Sequence, residues 1–489
     1  MKPLGTFVFL IVILFILLII ATYFPDGGID INHDFSLHFI NPDDIFNTTE
    51  PRKADISKII KVSKILQNTA IHDTDHFRAN AETIKSVKND TSEGLQKIEY
   101  IQFPNNDHSL LFSFFRNLDG LKDTARLIRV LHFGDSQIEC DRITSYIRYR
   151  LQKEFGGGGP GLLPAFQPYG ENYSIVQSDS GTWLRHTSFG HADTVHCKRY
   201  GLMAAVSKYI VTDSVSENNT VSASISFKKS YLTYRNARNY NQCQLLMGYN
   251  KLPVTIEFYT DDILLKKETI PVWNNFKILK WKFPLNTEKV ELKFKGKESP
   301  EIYGLTLDKS KGVAVDNIAM RGSSGLEFTK INKELLASEL NQLNIKLIIL
   351  QYGGNVAPSQ LEDYTFYGNS LYRQIRFLKS ILPKVPVILI GISDMSVREG
   401  DEYVSYTNIT RIRDAMKDAA FRTGSAYWDL FEAMGGINSM PEWVHAEPPL
   451  ATSDYVHFTQ LGTKVVAEMF FNVLYDEYRE YKGTIKSKK

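Results

Sequence analysis

Hydrophobic and polar positions alternate in different ways along this chain, and the changes mark its parts. Leu4 to Tyr23 is almost wholly apolar and uncharged. Its length is about that needed to span a bilayer. From 24 to 125 the chain is mixed and polar. Ile56, Ile59, Ile60, Val62 and Ile65 keep a helical period, Asp73 to Glu93 reads as a linker or exposed loop, and Leu110 to Leu121 reads as a second helix. Leu127 to Phe133 is then an apolar strand, broken by Gly134-Asp135-Ser136. Ile143, Tyr146, Ile147 and Leu151 recur at helical spacing, with Asp141 available as a cap, until the glycine-rich run Gly156 to Gly161. This is the strand-turn-helix opening of an α/β domain.

The period changes from about Glu171 to Asp308. Short alternating runs (Val221 to Phe227, Val254 to Tyr259, Phe276 to Phe283, Val290 to Phe294) are separated by turn residues, as in an all-β sandwich. Trp183, Tyr249, Trp273 and Trp281 lie in this region, where aromatic side chains either fill the core or stack on sugar rings. Strands at Val313 to Met320, Leu347 to Leu350, Val385 to Ile390 and Ala426 to Leu430 then alternate with helices. Thr459 is placed to cap a last helix carrying Val465, Val466, Met469, Phe470, Val473 and Leu474. Such alternation implies a mostly parallel sheet. The expected fold is therefore α/β, with an all-β sandwich inserted in it. Its parts are an anchor at 1–23, a helical or linker region at 24–125, a first α/β segment at 126–170, the insert at 171–310, a second α/β segment at 311–480 and a polar tail at 481–489.

Composition narrows this picture little. The chain has 489 residues, enough for two or three domains at roughly 150 residues each. A formal net charge of +2 without a basic stripe argues against nucleic acid as a partner. Cys140, Cys197 and Cys243 form no CxxC pair, so no zinc site is expected. Cys197 and Cys243 fall in one region and are a possible disulfide pair that spacing cannot decide, while Cys140 reads as a buried free thiol. No metal or cofactor is expected. Lys2 precedes the apolar stretch, while Asp26 and Asp30 follow it. That orients an uncleaved anchor with its bulk outside the cytoplasm, a cleaved signal peptide being the rival reading.

Four turns could carry chemistry. Ser136 lies between a buried strand and a helix, where ligands of open α/β sheets bind and where backbone N–H groups face a developing anion. It is either a nucleophile or a turn and N-cap residue. A serine nucleophile needs a base. Asp454-Tyr455-Val456-His457 offers one, with Asp454 set to orient the imidazole. The plainer alternative is a capping Asp beside a surface His. Oxyanion donors could come from Arg321-Gly322-Ser323-Ser324-Gly325 and from Gly353-Gly354-Asn355. Glycine lets a backbone N–H approach closely, and asparagine adds side-chain N–H donors. Asp394, after another strand, faces the same rim, and Gly156 to Gly161 could form a mobile wall of the cleft. His132 reads as a strand residue packed near the site.

Taken in order, these four blocks resemble those of the SGNH (GDSL-like) hydrolases, over about Leu127 to Tyr169 and Val313 to Tyr478. The resemblance implies a flavodoxin-like three-layer fold. It implies Ser136 as nucleophile, His457 as base and Asp454 as its partner. It also implies an oxyanion hole from the N–H groups of Ser136 and Gly322 and the side chain of Asn355. Two positions depart from the family pattern: Gln137 stands where leucine usually follows the GDS, and Val356 where aspartate usually follows the asparagine. The stretch Gly134 to Thr144, the glycine run and the inserted β region are similar to bacterial peptidoglycan O-acetylesterases. That likeness implies an esterase acting on O-acetyl groups of peptidoglycan or another polysaccharide, in the periplasm. Related extracytoplasmic proteins imply an O-acetyltransferase instead, working beside a membrane acyl-donor protein. A catalytically idle carbohydrate-binding protein is the third reading. The expected partners are an acylated carbohydrate polymer and, through the N-terminal helix, the membrane.

Overall fold

The computed structural model describes residues 3–23, 29–32, 35–37, 53–70, 100–168, 172–190, 198–210 and 221–486. Asp73 to Glu93, expected as a linker, and Cys197 lie outside these residues. The chain divides into two units, Met1–Lys53 and Ala54–Lys489. In the first, Pro3–Tyr23 is an α-helix, and Ile29–Asn32 pairs antiparallel with Phe35–Leu37. Among the described residues no helix is long and apolar enough to cross a membrane.

The second unit is built on a five-stranded parallel sheet. Its order across the sheet is Gly312–Ala319, Leu127–Gly134, Ile345–Gln351, Val387–Ile390 and Ala426–Trp428. Numbered along the chain this is 2-1-3-4-5, the flavodoxin-like order. The strands read as continuous apolar runs because helices cover both faces. Side-chain direction alternates along each strand, so neighbouring residues enter different cores. Val130, Val315 and Ile349 pack with the helices Thr144–Phe155 and Gln460–Lys486, whereas Leu131, Ile318 and Leu350 pack with Lys333–Gln342, Thr365–Ile381 and Ile409–Arg422.

Several expectations change at the edges of this unit. The helices Ser57–Ala70 and Phe112–Asp119 are part of the α/β unit: Ile59, Val62, Phe114 and Phe115 are buried in the same core as the last helix. The expected polar tail is a helix as far as Lys486, with Tyr481 buried against Phe112 and Phe115. Lys482 and Lys486 supply the polarity that hid it.

The insert is a β sandwich of two antiparallel sheets. One contains Ile263–Ile270, Val254–Thr260, Lys289–Gly296, Val221–Lys229 and Ile175–Ser180. The other contains Lys277–Lys282, Gln242–Met247, Ile302–Asp308, Ala205–Tyr209 and Trp183–Thr187. In Lys289–Gly296 strict alternation sends Val290, Leu292 and Phe294 into the core. Ile302–Asp308 escaped the pattern because all its positions are buried. It also pairs with Gly161–Leu163, which was expected to belong to the first α/β segment.

That pairing explains the glycine run. Its residues thread a seam between the two modules and are not a mobile cleft wall. A Cβ on Gly157 would lie 2.3 Å from the Val313 carbonyl oxygen, and one on Gly159 2.1 Å from that of Leu307. No side chain fits there. The seam is closed by a buried cluster in which Arg129 of the parallel sheet binds Asp316 at 2.7 Å and also Asp308 of the sandwich.

Candidate active site

All five parallel strands point their carboxyl ends at one rim, and three of the four expected blocks are loops there. The first begins where Leu127–Gly134 ends. Asp135 caps the short turn Ser136–Asp141 by accepting the Gln137 N–H at 2.9 Å. The cap is thus Asp135 and not Ser136, which leaves the serine hydroxyl for another partner. That partner is His457: Ser136 Oγ lies 2.9 Å from its Nε2. His457 Nδ1 lies 2.7 Å from Asp454 Oδ2.

The fourth block is a tight turn. Asp454 Oδ1 accepts the N–H groups of Val456 and His457, both at 3.0 Å, and the Thr452 hydroxyl at 2.6 Å. Partial burial works to raise the Asp454 carboxyl, but these hydrogen bonds outweigh it and hold the group well below the usual carboxylate range. An ionised carboxylate can only accept, so Nδ1 carries the imidazole proton and Nε2 is left to accept from Ser136. Asp454 therefore caps its own turn and orients the histidine at once. Thr459 caps the last helix, as its position suggests, accepting from Gly462 N–H at 3.1 Å.

The second and third blocks meet beside the first. Gly322 follows Gly312–Ala319 with φ +77, and a Cβ there would meet nothing within 4 Å. Its glycine is required by the left-handed backbone and not by crowding. Asn355 Nδ2 donates to the Ser323 carbonyl at 2.9 Å and stands 3.5 Å from Asp135 Oδ2. The asparagine thus bridges the residue after Gly322 and the residue before Ser136. The structure joins Ser136, His457 and Asp454 directly, and sets Asn355 against the neighbours of Ser136 and Gly322.

The two departures from the family pattern have local roles. Gln137 Nε2 donates to the Val456 carbonyl at 2.7 Å, tying the Ser136 turn to the His457 turn. Val356 packs against the core under the third block. Around the rim, Arg321 holds buried Glu139 in a two-pronged ion pair of 2.6 and 2.9 Å. Arg142 donates to the carbonyls of Ser136 and Glu139. Asp141 does not cap the following helix; it accepts from Arg148, both groups buried. Cys140, expected to be buried, is half-exposed at φ +59. Cys243 is a buried free thiol.

Burial sets the remaining electrostatics. It pushes Asp135 up to about 6, against the Gln137 N–H, and pushes the His132 imidazole down to about 3. His132 is a neutral strand residue held by Thr144 at 2.9 Å and Gln351 at 3.1 Å. Asp394 is also raised to about 6 by burial, and it accepts from the Ser405 hydroxyl at 2.6 Å and Met440 N–H at 2.7 Å. It structures its loop. Among the described residues, His108, Glu477 and Glu480 bring possible metal ligands within 4.8 Å of one another. His108 and Glu477 already satisfy each other at 2.7 Å, which accounts for the geometry.

A peptidoglycan O-acetylesterase structure superposes on 75% of this chain and 96% of its own, at 20% identity and a TM-score of 0.60. The chain shares the fold of that structure. Weaker matches are a salicylyl-acyltransferase from a tetracycline biosynthetic pathway (14% identity, 52% of this chain and 82% of that one, TM-score 0.27) and a family two carbohydrate esterase from Cellvibrio japonicus (8%, 62% and 99%, TM-score 0.24). No protein-family model and no curated protein matches the sequence. On the SGNH frame, sequence reasoning missed the residues that hold the blocks in place. Thr452 carried a usable signal, a hydroxyl two residues before a carboxylate. The Gln137 crosslink and the Arg142 contact depend on tertiary approach and left none.

Proposed function

We propose that the chain is a serine esterase that removes O-acetyl groups from a cell-envelope carbohydrate, peptidoglycan or another polysaccharide, through an acyl-enzyme. The observation that carries this reading is the unbroken relay Ser136 Oγ, His457, Asp454, at 2.9 and 2.7 Å. His457 Nε2 takes the hydroxyl proton as Ser136 Oγ attacks the acetyl carbonyl. Asp454 stabilises the imidazolium. The N–H groups of Ser136 and Gly322 receive the oxyanion together with Asn355 Nδ2, which keeps Ser323 and turns its long 3.5 Å contact from Asp135 to the substrate. The imidazolium then protonates the departing sugar oxygen, and a water activated by His457 releases acetate.

Transfer to a sugar hydroxyl would use the same groups and would require that water be kept out. The side chains of His457 and Asp454 are 31% and 49% exposed, which favours hydrolysis. Membrane anchoring through Pro3–Tyr23, with the site in the periplasm, completes the proposal. Its support is the uncharged apolar sequence, with Lys2 before it and Asp26 and Asp30 after it.

The test is acetate release from an O-acetylated polysaccharide, with and without an oligosaccharide acceptor, by the protein and by Ser136→Ala. Release that vanishes in the variant is expected. Acetylated acceptor as the main product would replace hydrolysis with transfer, and equal activity in both proteins would leave only binding.

A further inference from the structure

The loop after Val387–Ile390 extends into a β-hairpin, Ser396–Glu399 paired with Glu402–Ser405, for which the SGNH blocks have no role. The base of this hairpin is fixed on two sides. Buried Asp394 holds Ser405 and Met440, and Ser405 exchanges hydrogen bonds with Asn438 at 2.7 and 3.0 Å. The Ser396 N–H donates to the Tyr455 carbonyl at 3.1 Å. From the second strand, Tyr403 lies flat on the Tyr455 ring, with centroids 3.6 Å apart and planes 4° from parallel.

Tyr455 is the residue between Asp454 and Val456, and its φ is +56. That conformation is costly for a residue with a Cβ. It is also what closes the turn: it lets Asp454 Oδ1 collect the Val456 and His457 N–H groups while Oδ2 holds the imidazole. Something must hold Tyr455 in it. Its N–H goes to the Thr452 carbonyl at 3.0 Å and its hydroxyl reaches His445 at 3.4 Å. The hairpin covers the ring and takes the carbonyl.

We infer that the Ser396–Ser405 hairpin is a positioning clamp, in which Tyr403, stacked on Tyr455, fixes the left-handed turn that aligns Asp454 and His457 with Ser136. The inference rests on the esterase reading. Tyr403 acts through Tyr455 and touches no reacting atom. Loss of the stack lets the turn relax and the imidazole drift, and a misplacement of about 1 Å costs up to about 10²-fold in rate.

Steady-state kinetics on an acetyl ester, with the rate of Ser136 labelling by a fluorophosphonate, tests this on Tyr403→Ala, Tyr403→Phe and Tyr403→Leu. Tyr403→Ala is expected to lower kcat and the labelling rate together, by about 10- to 100-fold, with KM little changed. Tyr403→Phe, which keeps the stack, is expected to restore both. Tyr403→Leu keeps bulk without a ring and decides the matter should the alanine protein not fold: it too should be slow. A raised KM at unchanged kcat would make Tyr403 a substrate contact and overturn the inference. So would wild-type rates in Tyr403→Leu, or a phenylalanine variant as slow as alanine. Failure of the esterase reading would look different: Ser136→Ala would keep the wild-type rate whatever Tyr403 does.

Discussion

The parallel sheet and the sandwich bury comparable apolar strands and use their loops in opposite ways. Parallel strands all end at one rim, where Ser136 meets the turn before the last helix and comes within hydrogen-bond distance of His457, 321 positions along the chain. Antiparallel neighbours alternate direction, so sandwich loops are shared between two ends and nothing in the topology gathers them. The aromatic residues follow the same division. Trp183 and Trp281 look toward the sandwich core, the first bonded to the Ser180 carbonyl at 2.9 Å and the second stacked on Phe258 at 4.9 Å. Trp273 and Tyr249 are half-buried, each under a cation, Lys277 and Arg199. The Ser136–His457 contact lies where topology gathers loops, whereas Trp183 and Trp281 go to packing the insert.

The strongest way to break this division is to remove one group from each side. Ser136→Ala or His457→Ala should cost roughly 10⁴- to 10⁶-fold in kcat at unchanged stability. Trp281→Ala should do the reverse: about 3–5 kcal/mol lost from urea unfolding, with kcat of the folded protein preserved. Were the tryptophan variant to lose activity while folded, the sandwich would be part of the catalytic apparatus.

The seam between the modules is the next place to press. Asp308→Ala strips the sandwich's carboxylate from buried Arg129, which keeps Asp316 but is left with one unsatisfied N–H fork, at a cost of about 1–3 kcal/mol. The expected result is a lower urea midpoint followed by both near-UV circular dichroism and activity. A sandwich transition separating from the loss of activity would mean that the modules unfold independently. Asn355→Ala acts at the rim alone and should lower kcat by about 10²- to 10³-fold with the unfolding midpoint little moved. A loss confined to KM would remove Asn355 from the oxyanion hole and leave it as the brace between Asp135 and Ser323.

Much of the rim was legible in the sequence because each block carries a conformational demand. Asp454 must sit three residues before the histidine it orients, and the glycines mark sharp turns after apolar strands; that Gly322 answers to a positive φ and that Asp135 is the cap came only with the structure. The apolar runs of the parallel strands were equally plain. Illegible were the features that depend on what lies opposite. Ile302–Asp308 is buried throughout and shows no alternation, Ile263–Ile270 is an exposed edge strand with charges on it, and the helix through Tyr481 hides its apolar face among lysines and glutamates. The glycine run reads as mobile until its neighbours, the carbonyls of Val313 and Leu307, are known. The hairpin bearing Tyr403 is short and polar, and only its partner Tyr455 gives it a meaning.

The smallest predicted effect asks whether the catalytic rim carries a stability cost of its own. Burial pushes Asp135 from its ordinary 3.8 up to about 6. In the unfolded chain the group ionises near 3.8, so between about pH 4 and 6 the folded state binds more protons. The contribution of Asp135 to stability must then fall as pH rises through that window and level off above it, by at most about 3 kcal/mol. Asp135→Asn keeps an oxygen for the Gln137 N–H and cannot titrate. The difference in unfolding free energy between the two proteins, followed from pH 4 to 7, should therefore move in favour of the variant up to about pH 6 and then stay level. His132, held neutral in both, drops out of the difference. Parallel stability curves would mean that Asp135 ionises as freely in the fold as in the unfolded chain, and that placing a carboxylate beside Ser136 costs the rim nothing.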